Sequence, residues 1–401
     1  MIFFMHMKDL GSVLLIAGTA IGAGMLALPM AAAPGGFWFS TLLMVTTCLL
    51  MIHTSLLILE VNLTLPADKN TFSSMAESQF GLAGKVLCWV CFGLLLYAIT
   101  AAYISGMGNL TSELLGRNGI SIPSNLCGLL FTLILGSAVL VGTVVVDRVN
   151  QVFLYLKGAF LFTALFAMLP SVKASTLFSY SASPTFWASA IPIFTAAFAS
   201  AMVIPSITNY IGKEHPHRIR RCIIIGSLIP LFVYIFWIFV TFGLLPQTGA
   251  ASFTTIEQNG NDLGMMISFL QNAVQTPWII AMIDAFSNTA MTTSFLGVSL
   301  SLFDFLADSF SIKKTPTGRL KTFALTFIPP LIFVVFYPNG FLMALRYSAI
   351  FVSILLLVLP PALVWKKRRE NLHGGYLTLS NSTTQAAVFV IGLFYTVCAF
   401  L

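Results

Sequence analysis

Long, unbroken apolar runs recur along the chain, separated by short polar segments, and this pattern predicts the architecture before any single residue does. A bilayer-crossing helix needs about 20 mostly apolar residues, whereas a transmembrane strand alternates apolar and polar positions over about ten. The runs here are continuous, so the expected fold is all-α. Eleven spans are expected, over 9–32, 38–63, 84–114, 126–144, 149–169, 187–211, 222–245, 276–306, 320–337, 340–365 and 384–401.

Composition agrees with the pattern. Of 401 residues, 58% are hydrophobic and only 8% charged, against roughly a quarter charged in soluble domains. A cytosolic enzyme and a disordered chain are both excluded, and the reading is an integral membrane protein. The six cysteines all lie in apolar stretches, where a thiol behaves as a small hydrophobe. Cys88 and Cys91 have no second pair or histidines nearby, so no metal, cofactor or redox site is read.

The formal net charge of +7 changes the picture only through its placement. Lys8, Lys69, Lys85, Arg148, Lys213, Arg218, Arg220, Arg221, Lys313, Lys314, Arg319, Lys321 and Lys366 to Arg369 fall in one set of alternate loops. Arg117 and Lys173 fall in the other. That bias sets the first group in the cytoplasm, with the N-terminus inside and the C-terminus outside. It also explains the basic balance without nucleic acid, and the run Lys366–Arg369 can touch anionic lipid headgroups. The first span lacks a cleavage pattern and is expected to be retained.

Two spans are not ordinary helices. The first reads Gly18-Thr-Ala-Ile-Gly22-Ala-Gly24-Met-Leu-Ala-Leu-Pro29, with three glycines and a proline near its middle. The sixth carries Pro192 and Pro205 around a small-residue centre at 199–201. Gly18-x-x-x-Gly22 also reads as a helix-packing motif. Similar breaks five spans apart, with an odd number of helices per half, point to an inverted-repeat transporter. Its repeats are expected over 9–169 and 187–365, with 384–401 outside them.

Broken helices predict their ligand. Their free N–H groups suit a carboxylate, and their carbonyls suit an ammonium or a cation, so a zwitterionic amino acid fits. The candidate substrate-binding residues are Gly18, Thr19, Ala20, Gly22, Ala23 and Gly24 in the first span, with Thr195, Phe198, Ala199, Ser200, Ala201 and Met202 in the sixth. Tyr97 and Tyr103 in the third span can offer a hydroxyl to a carboxylate.

Lys157 lies eight residues into the fifth span, about 12 Å from its expected cytoplasmic end. It either snorkels to the headgroups or serves as an internal ammonium in place of sodium, able to exchange a proton. Thr293 and Ser294 fall at comparable depth and can join it around one cation-sized site, and Asp284 is a further candidate for gating or pairing. Hydroxyls and carbonyls there also suit sodium, and a sodium-coupled symporter of another small zwitterion is the alternative reading. No ring of charges suggests a channel, and no catalytic cluster suggests an enzyme.

At this point the chain resembles the bacterial hydroxy/aromatic amino acid permeases, within the amino acid–polyamine–cation superfamily, and its tyrosine-specific branch above all. The first-span run just quoted looks like the family's first-helix signature, and Thr293-Ser-Phe-Leu-Gly-Val-Ser-Leu-Ser-Leu-Phe-Asp-Phe-Leu-Ala-Asp308 like its eighth. Ile225 to Trp237 and Ala102 to Gly106 are also similar. The resemblance implies a LeuT-type fold and proton symport of an aromatic amino acid, tyrosine first, across the bacterial inner membrane. It also implies the sodium-surrogate role for Lys157. One departure stands out: Ala197-Phe198-Ala199-Ser200-Ala201 replaces the family's frequent Ser-Phe-Gly-Phe-His, which implies a larger or less polar pocket.

Overall fold

The computed structural model describes residues 7–66, 71–141, 143–178, 180, 182–184, 186–313, 315–370, 378 and 380–400, with backbone alone at 141, 143–152 and 154. Lys69, Lys314 and the side chain of Arg148, all part of the expected cytoplasmic set, lie outside the described residues.

The described secondary structure is helical, with no strand. Helix α1 (Met7–Ala20) is followed by a 3-10 turn (Ala23–Ala27), α2 (Leu28–Ala32) and α3 (Gly36–Asn62). Then come α4 (Phe72–Arg117), α5 (Ser124–Val141), α6 (Thr143–Met168) and the short α7 (Ala174–Leu177). Helix α8 (Phe186–Ala197) leads through a 3-10 turn (Ser200–Val203) into α9 (Ile204–Ile211), and α10 follows (Pro216–Leu244). The segment 246–275, between two of the expected spans, carries α11 (Phe253–Gln258) and α12 (Leu263–Val274). The chain continues through α13 (Pro277–Ser309), α14 (Pro316–Phe336) and α15 (Phe341–Ser353). One π turn (Ile354–Val358) joins α15 to α16 (Leu359–Arg369), and α17 (Ser382–Cys398) follows.

By length and composition, seven helical stretches among the described residues can cross a bilayer. Ser124–Leu140, Tyr155–Ser171, Leu263–Val274 and Ser382–Cys398 are shorter apolar helices. Leu42, Ile134, Phe166, Phe232, Ile328 and Phe394 stay exposed, as side chains do where the solvent is hydrocarbon rather than water. The protein is a helical integral membrane protein.

One boundary differs from the sequence pattern. The third span, expected over 84–114, is preceded by helix from Phe72 onward, capped by the Thr71 hydroxyl accepting from the Ser74 N–H at 3.2 Å. The chain bends between the two pieces at Gly81 (φ +63°, ψ −152°), a conformation that a Cβ would oppose.

The middle of the molecule is the residue run just after α1. Ala23, Met25, Leu26, Ala27 and Leu28 are fully buried: the 3-10 turn packs on α8 and α13, and α2 on α8 and α10. Helix α1 packs along α10, α13 along α6 and α4, and α15 along α4 and α8.

Charge fixes the ends of these helices. Arg218, at the start of α10, donates to both carboxylate oxygens of Asp9 in the first turn of α1, at 2.8 and 3.3 Å. At the far end of α3, Glu60 is fully buried and accepts from Arg368 at 2.9 and 2.7 Å and from the Thr378 N–H at 2.8 Å. Lys367, also fully buried, donates to the Glu60 carbonyl at 2.7 Å. Lys213 donates to the carbonyls of Asn62, at 3.3 Å, and Leu65. Cations thus gather at the negative end of the α3 dipole. Of the run Lys366–Arg369, which can touch lipid headgroups, Lys367 is buried and Arg368 turns to the buried Glu60, because consecutive residues point round the whole circumference of α16.

Breaking a buried ion pair strands the remaining charge, at a cost of about 3–5 kcal/mol. Glu60→Ala should lower the thermal midpoint of the detergent-solubilised protein accordingly, and Arg368→Met in the same chain should restore part of it. A Glu60→Ala protein melting with the wild type would show that the pair carries no stability.

Candidate functional site

The site begins where α1 stops. The Ile21 N–H still reaches the Ala17 carbonyl at 2.8 Å, but Gly22 is extended (φ −139°, ψ −160°) and the helical ladder ends. The amide that would close the next turn onto the Thr19 carbonyl belongs to Ala23. It donates instead to Ser294 Oγ on α13 at 3.0 Å. Lys157 on α6, 5% exposed, donates through Nζ to the Ile21 carbonyl at 2.7 Å. The lysine therefore turns inward to the break rather than outward to the headgroups.

The second break repeats the first. After α8, the Ala199 N–H falls back onto the Ala196 carbonyl at 3.3 Å and the Ser200 N–H onto the Phe198 carbonyl at 2.8 Å, which tightens and then interrupts the helix. In both places a 3-10 turn leads into a new helix with a proline in its first turn, Pro29 and Pro205. Proline sits there without loss, because the first-turn N–H groups have no helical partner. Pro192, by contrast, lies inside α8.

Between the breaks lies a cavity of about 530 Å³, within the range of small-molecule sites. Thr19, Ala20, Gly22 and Gly24 border it from the first break, and Ala197, Ala199 and Met202 from the second. Phe92, Leu95, Leu96, Ile99 and Tyr103 form the wall on α4, and Val298 and Ser301 the wall on α13. Leu345, Ser348, Val352 and Leu355 close another side, and at one end the cavity reaches Thr71, Phe72, Ser73 and Ser206. Backbone polar groups thus meet a largely apolar chamber.

The expected site residues divide. Thr19, Ala20, Gly22, Gly24, Tyr103, Ala199 and Met202 line the cavity, and the Tyr103 hydroxyl stands near Ser294. Gly18, Ala23, Phe198, Ser200 and Ala201 lie in or beside the breaks without lining it. The Thr195 hydroxyl returns to the Ile191 carbonyl of its own helix at 2.7 Å. Thr293 likewise turns back, to the carbonyls of Thr289 and Ala290 at 3.0 and 3.1 Å, so only Ser294 of that pair reaches the break. Tyr97 is elsewhere: its hydroxyl donates to the Leu325 carbonyl on α14 at 2.8 Å. Asp284 stands about 15 Å along α13 from Ser294. It accepts from Gln271 at 2.7 Å and faces Arg117 at 3.7 Å, away from Lys157.

Comparison with known proteins shows the family. Residues 5–399 match the model of the tryptophan/tyrosine permease family. The chain belongs to that family. Among its relatives are the tyrosine-specific transport systems 2 and 1 of Haemophilus influenzae. They are 35% and 36% identical over 98% and 97% of this chain, and over 96% of each relative. The low affinity tryptophan permease of Escherichia coli K12 is 30% identical over 97% of this chain and 94% of its own length.

One side chain at the centre of this permease escaped the sequence reading. Tyr234 on α10 is fully buried, and its hydroxyl lies 2.6 Å from the Ala20 carbonyl and 3.0 Å from that of Ala197. The available signal was a lone phenol in the middle of an apolar span, where a buried hydroxyl needs a partner.

Gly22 is glycine for a spatial reason: a Cβ there would stand 2.8 Å from Ser294 Oγ, whereas one on Gly24 meets nothing within 4 Å. Gly22→Ala should therefore cost about 1–3 kcal/mol, as overpacking does, read as a lower thermal midpoint in detergent. Gly24→Ala should melt with the wild type. Equal midpoints for both variants would contradict the contact.

Proposed function

We propose that this permease imports an aromatic amino acid, tyrosine first, by proton symport and alternating access. The fold proposed is LeuT-type: eleven membrane-crossing helices, with inverted repeats over 9–169 and 187–365 and the last helix, 384–401, outside them. The paired interruptions, each followed by a proline-started helix, support the repeat. The names of the relatives support the substrate class.

The observation that carries the reading is Lys157 Nζ on the Ile21 carbonyl, at the edge of a cavity bounded by both breaks. An ammonium there takes the place of a sodium ion, with Ser294 as its neighbour through the Ala23 amide. Exchange of its proton is the coupling step, because a neutral amine holds the Ile21 carbonyl less strongly than an ammonium does. The substrate's own ammonium sits among carbonyls at the ends of α1 and α8, and its carboxylate meets the amides of Gly22 and Gly24. The aromatic ring lies against Phe92, Ile99, Val298 and Val352. The small side chains of Ala197 and Ala199, which line the cavity, leave room for it.

Lysine and arginine placement puts the N-terminus in the cytoplasm and the C-terminus in the periplasm. In that orientation the cavity, which reaches Thr71 to Ser73 and Ser206, faces inward. A second cavity, of about 290 Å³, lies beyond Ile193, which borders both. A layer around Ile193 is then what must part when the carrier opens outward.

The test is uptake of labelled tyrosine into sodium-free proteoliposomes under an inward proton gradient, with tryptophan, phenylalanine, histidine and leucine as competitors. Accumulation that a protonophore abolishes is expected. Lys157→Ala should insert normally and lose it. A requirement for sodium, or wild-type accumulation by Lys157→Ala, would overturn the coupling role.

A further inference from the structure

We infer that Tyr234 is a positioning residue for the substrate's ammonium group, an assignment that rests on the transport reading above. Its hydroxyl, on a helix outside both breaks, is within hydrogen-bond distance of the end of α1 and the end of α8, at 2.6 Å from the Ala20 carbonyl and 3.0 Å from the Ala197 carbonyl. Ala20 is the last residue of α1 and Ala197 the last of α8, and both line the central cavity.

The geometry has an electrostatic consequence. Two helix C-termini, each carrying a partial negative charge, are brought close together around a fully buried hydroxyl, where charges are screened less than in bulk water. Left alone, the two carbonyl ends repel. A phenol has one proton to donate, so it holds one carbonyl fully, or both in part, and leaves acceptor capacity over. An ammonium has three donors and supplies what the hydroxyl cannot. Tyr234 thus keeps the two carbonyl ends at a separation that one ammonium can bridge, and acts on the substrate through them.

The phenol is itself held rigidly. The Tyr234 side chain is fully buried, its ring meets that of Phe198 edge-on at 5.2 Å, and α10 is pinned to α1 by Arg218 and Asp9. The competing account is that a buried hydroxyl has simply found backbone acceptors, which would make Tyr234 a structural tie with no bearing on which group of the ligand is recognised.

The two accounts separate on ligands with and without the amino group. Tyrosine and 3-(4-hydroxyphenyl)propionate, which lacks the ammonium, would be compared as competitors of labelled tyrosine in proteoliposomes carrying wild-type protein, Tyr234→Phe, or 4-aminophenylalanine placed at 234. Tyr234→Phe keeps the ring and removes the donor. It should raise the KM for tyrosine about tenfold, the worth of a misplaced charge-assisted hydrogen bond, while the saturating rate is retained. Inhibition by the propionate should not change, so the preference for the amino acid shrinks by the same factor. The aniline restores a donor and should restore the preference. An unchanged preference in Tyr234→Phe overturns the inference. So does loss of both ligands alike, or failure of the variant to insert, because either marks a structural tie. If the wild-type protein takes up no tyrosine, the transport reading itself fails, a result distinct from all of these.

Discussion

A helix interrupted inside an apolar layer leaves carbonyls and amides that hydrocarbon cannot satisfy, each at a cost of several kcal/mol. The centre of this protein is organised around supplying them. Three side chains from three separate helices converge on the two breaks: Lys157 from α6 on the Ile21 carbonyl, Ser294 from α13 on the Ala23 amide, and Tyr234 from α10 on the carbonyls of Ala20 and Ala197. Ammonium, hydroxyl acceptor and hydroxyl donor are matched to carbonyl, amide and paired carbonyls. The close packing of α1 on α10 and of α6 on α13 is what brings these donors and acceptors within reach.

The charged groups at the helix ends then determine which elements travel together. Asp9 and Arg218 join α1 to α10, while Glu60, Lys367 and Arg368 join α3 to α16 and to Thr378. Any displacement of α1 must carry the start of α10 with it or break a pair whose carboxylate is almost enclosed. Tyr234 sits on that same α10, so the ion pair and the hydroxyl grip α1 at both ends. Lys157 reaches the break from a helix that neither pair includes. In the proposed cycle α1 and α10 shift together across this contact, which suits a group whose hold depends on whether it carries its proton.

Much of the site was legible because its features are local in the chain. Glycine and proline act on the backbone where they stand, so Gly22, Gly24, Pro29 and Pro205 marked the breaks without any knowledge of neighbours. What was not legible is direction around a helix axis. Tyr97 and Tyr103 are six residues apart, about 240° round an α-helix. Only one of them can face the cavity, and packing of α4 on α14 decides that it is Tyr103. Thr293 and Ser294 are separated by about 100°, and only the serine meets the break. Glu60 and Tyr234 were passed over for a related reason. Each is a single polar group in an apolar run, and its partner lies hundreds of residues away in one case and on two other helices in the other.

The division of labour in the cavity bears on how one scaffold serves different aromatic substrates. The polar contacts proposed for the zwitterion are backbone carbonyls and amides, which a side-chain substitution does not alter chemically. They are the same for tyrosine, tryptophan or phenylalanine and so cannot tell them apart. Discrimination must then come from the walls supplied by α4, α13 and the stretch from α15 into the π turn: Phe92, Ile99, Val298, Leu345, Val352 and Leu355. Those positions are free to vary without disturbing either break. Tyr103 is the exception, since it lines the cavity and stands near Ser294 as well. Ser294 in turn holds the Ala23 amide, so at that one position the proposed ring pocket and the proposed coupling site are not independent.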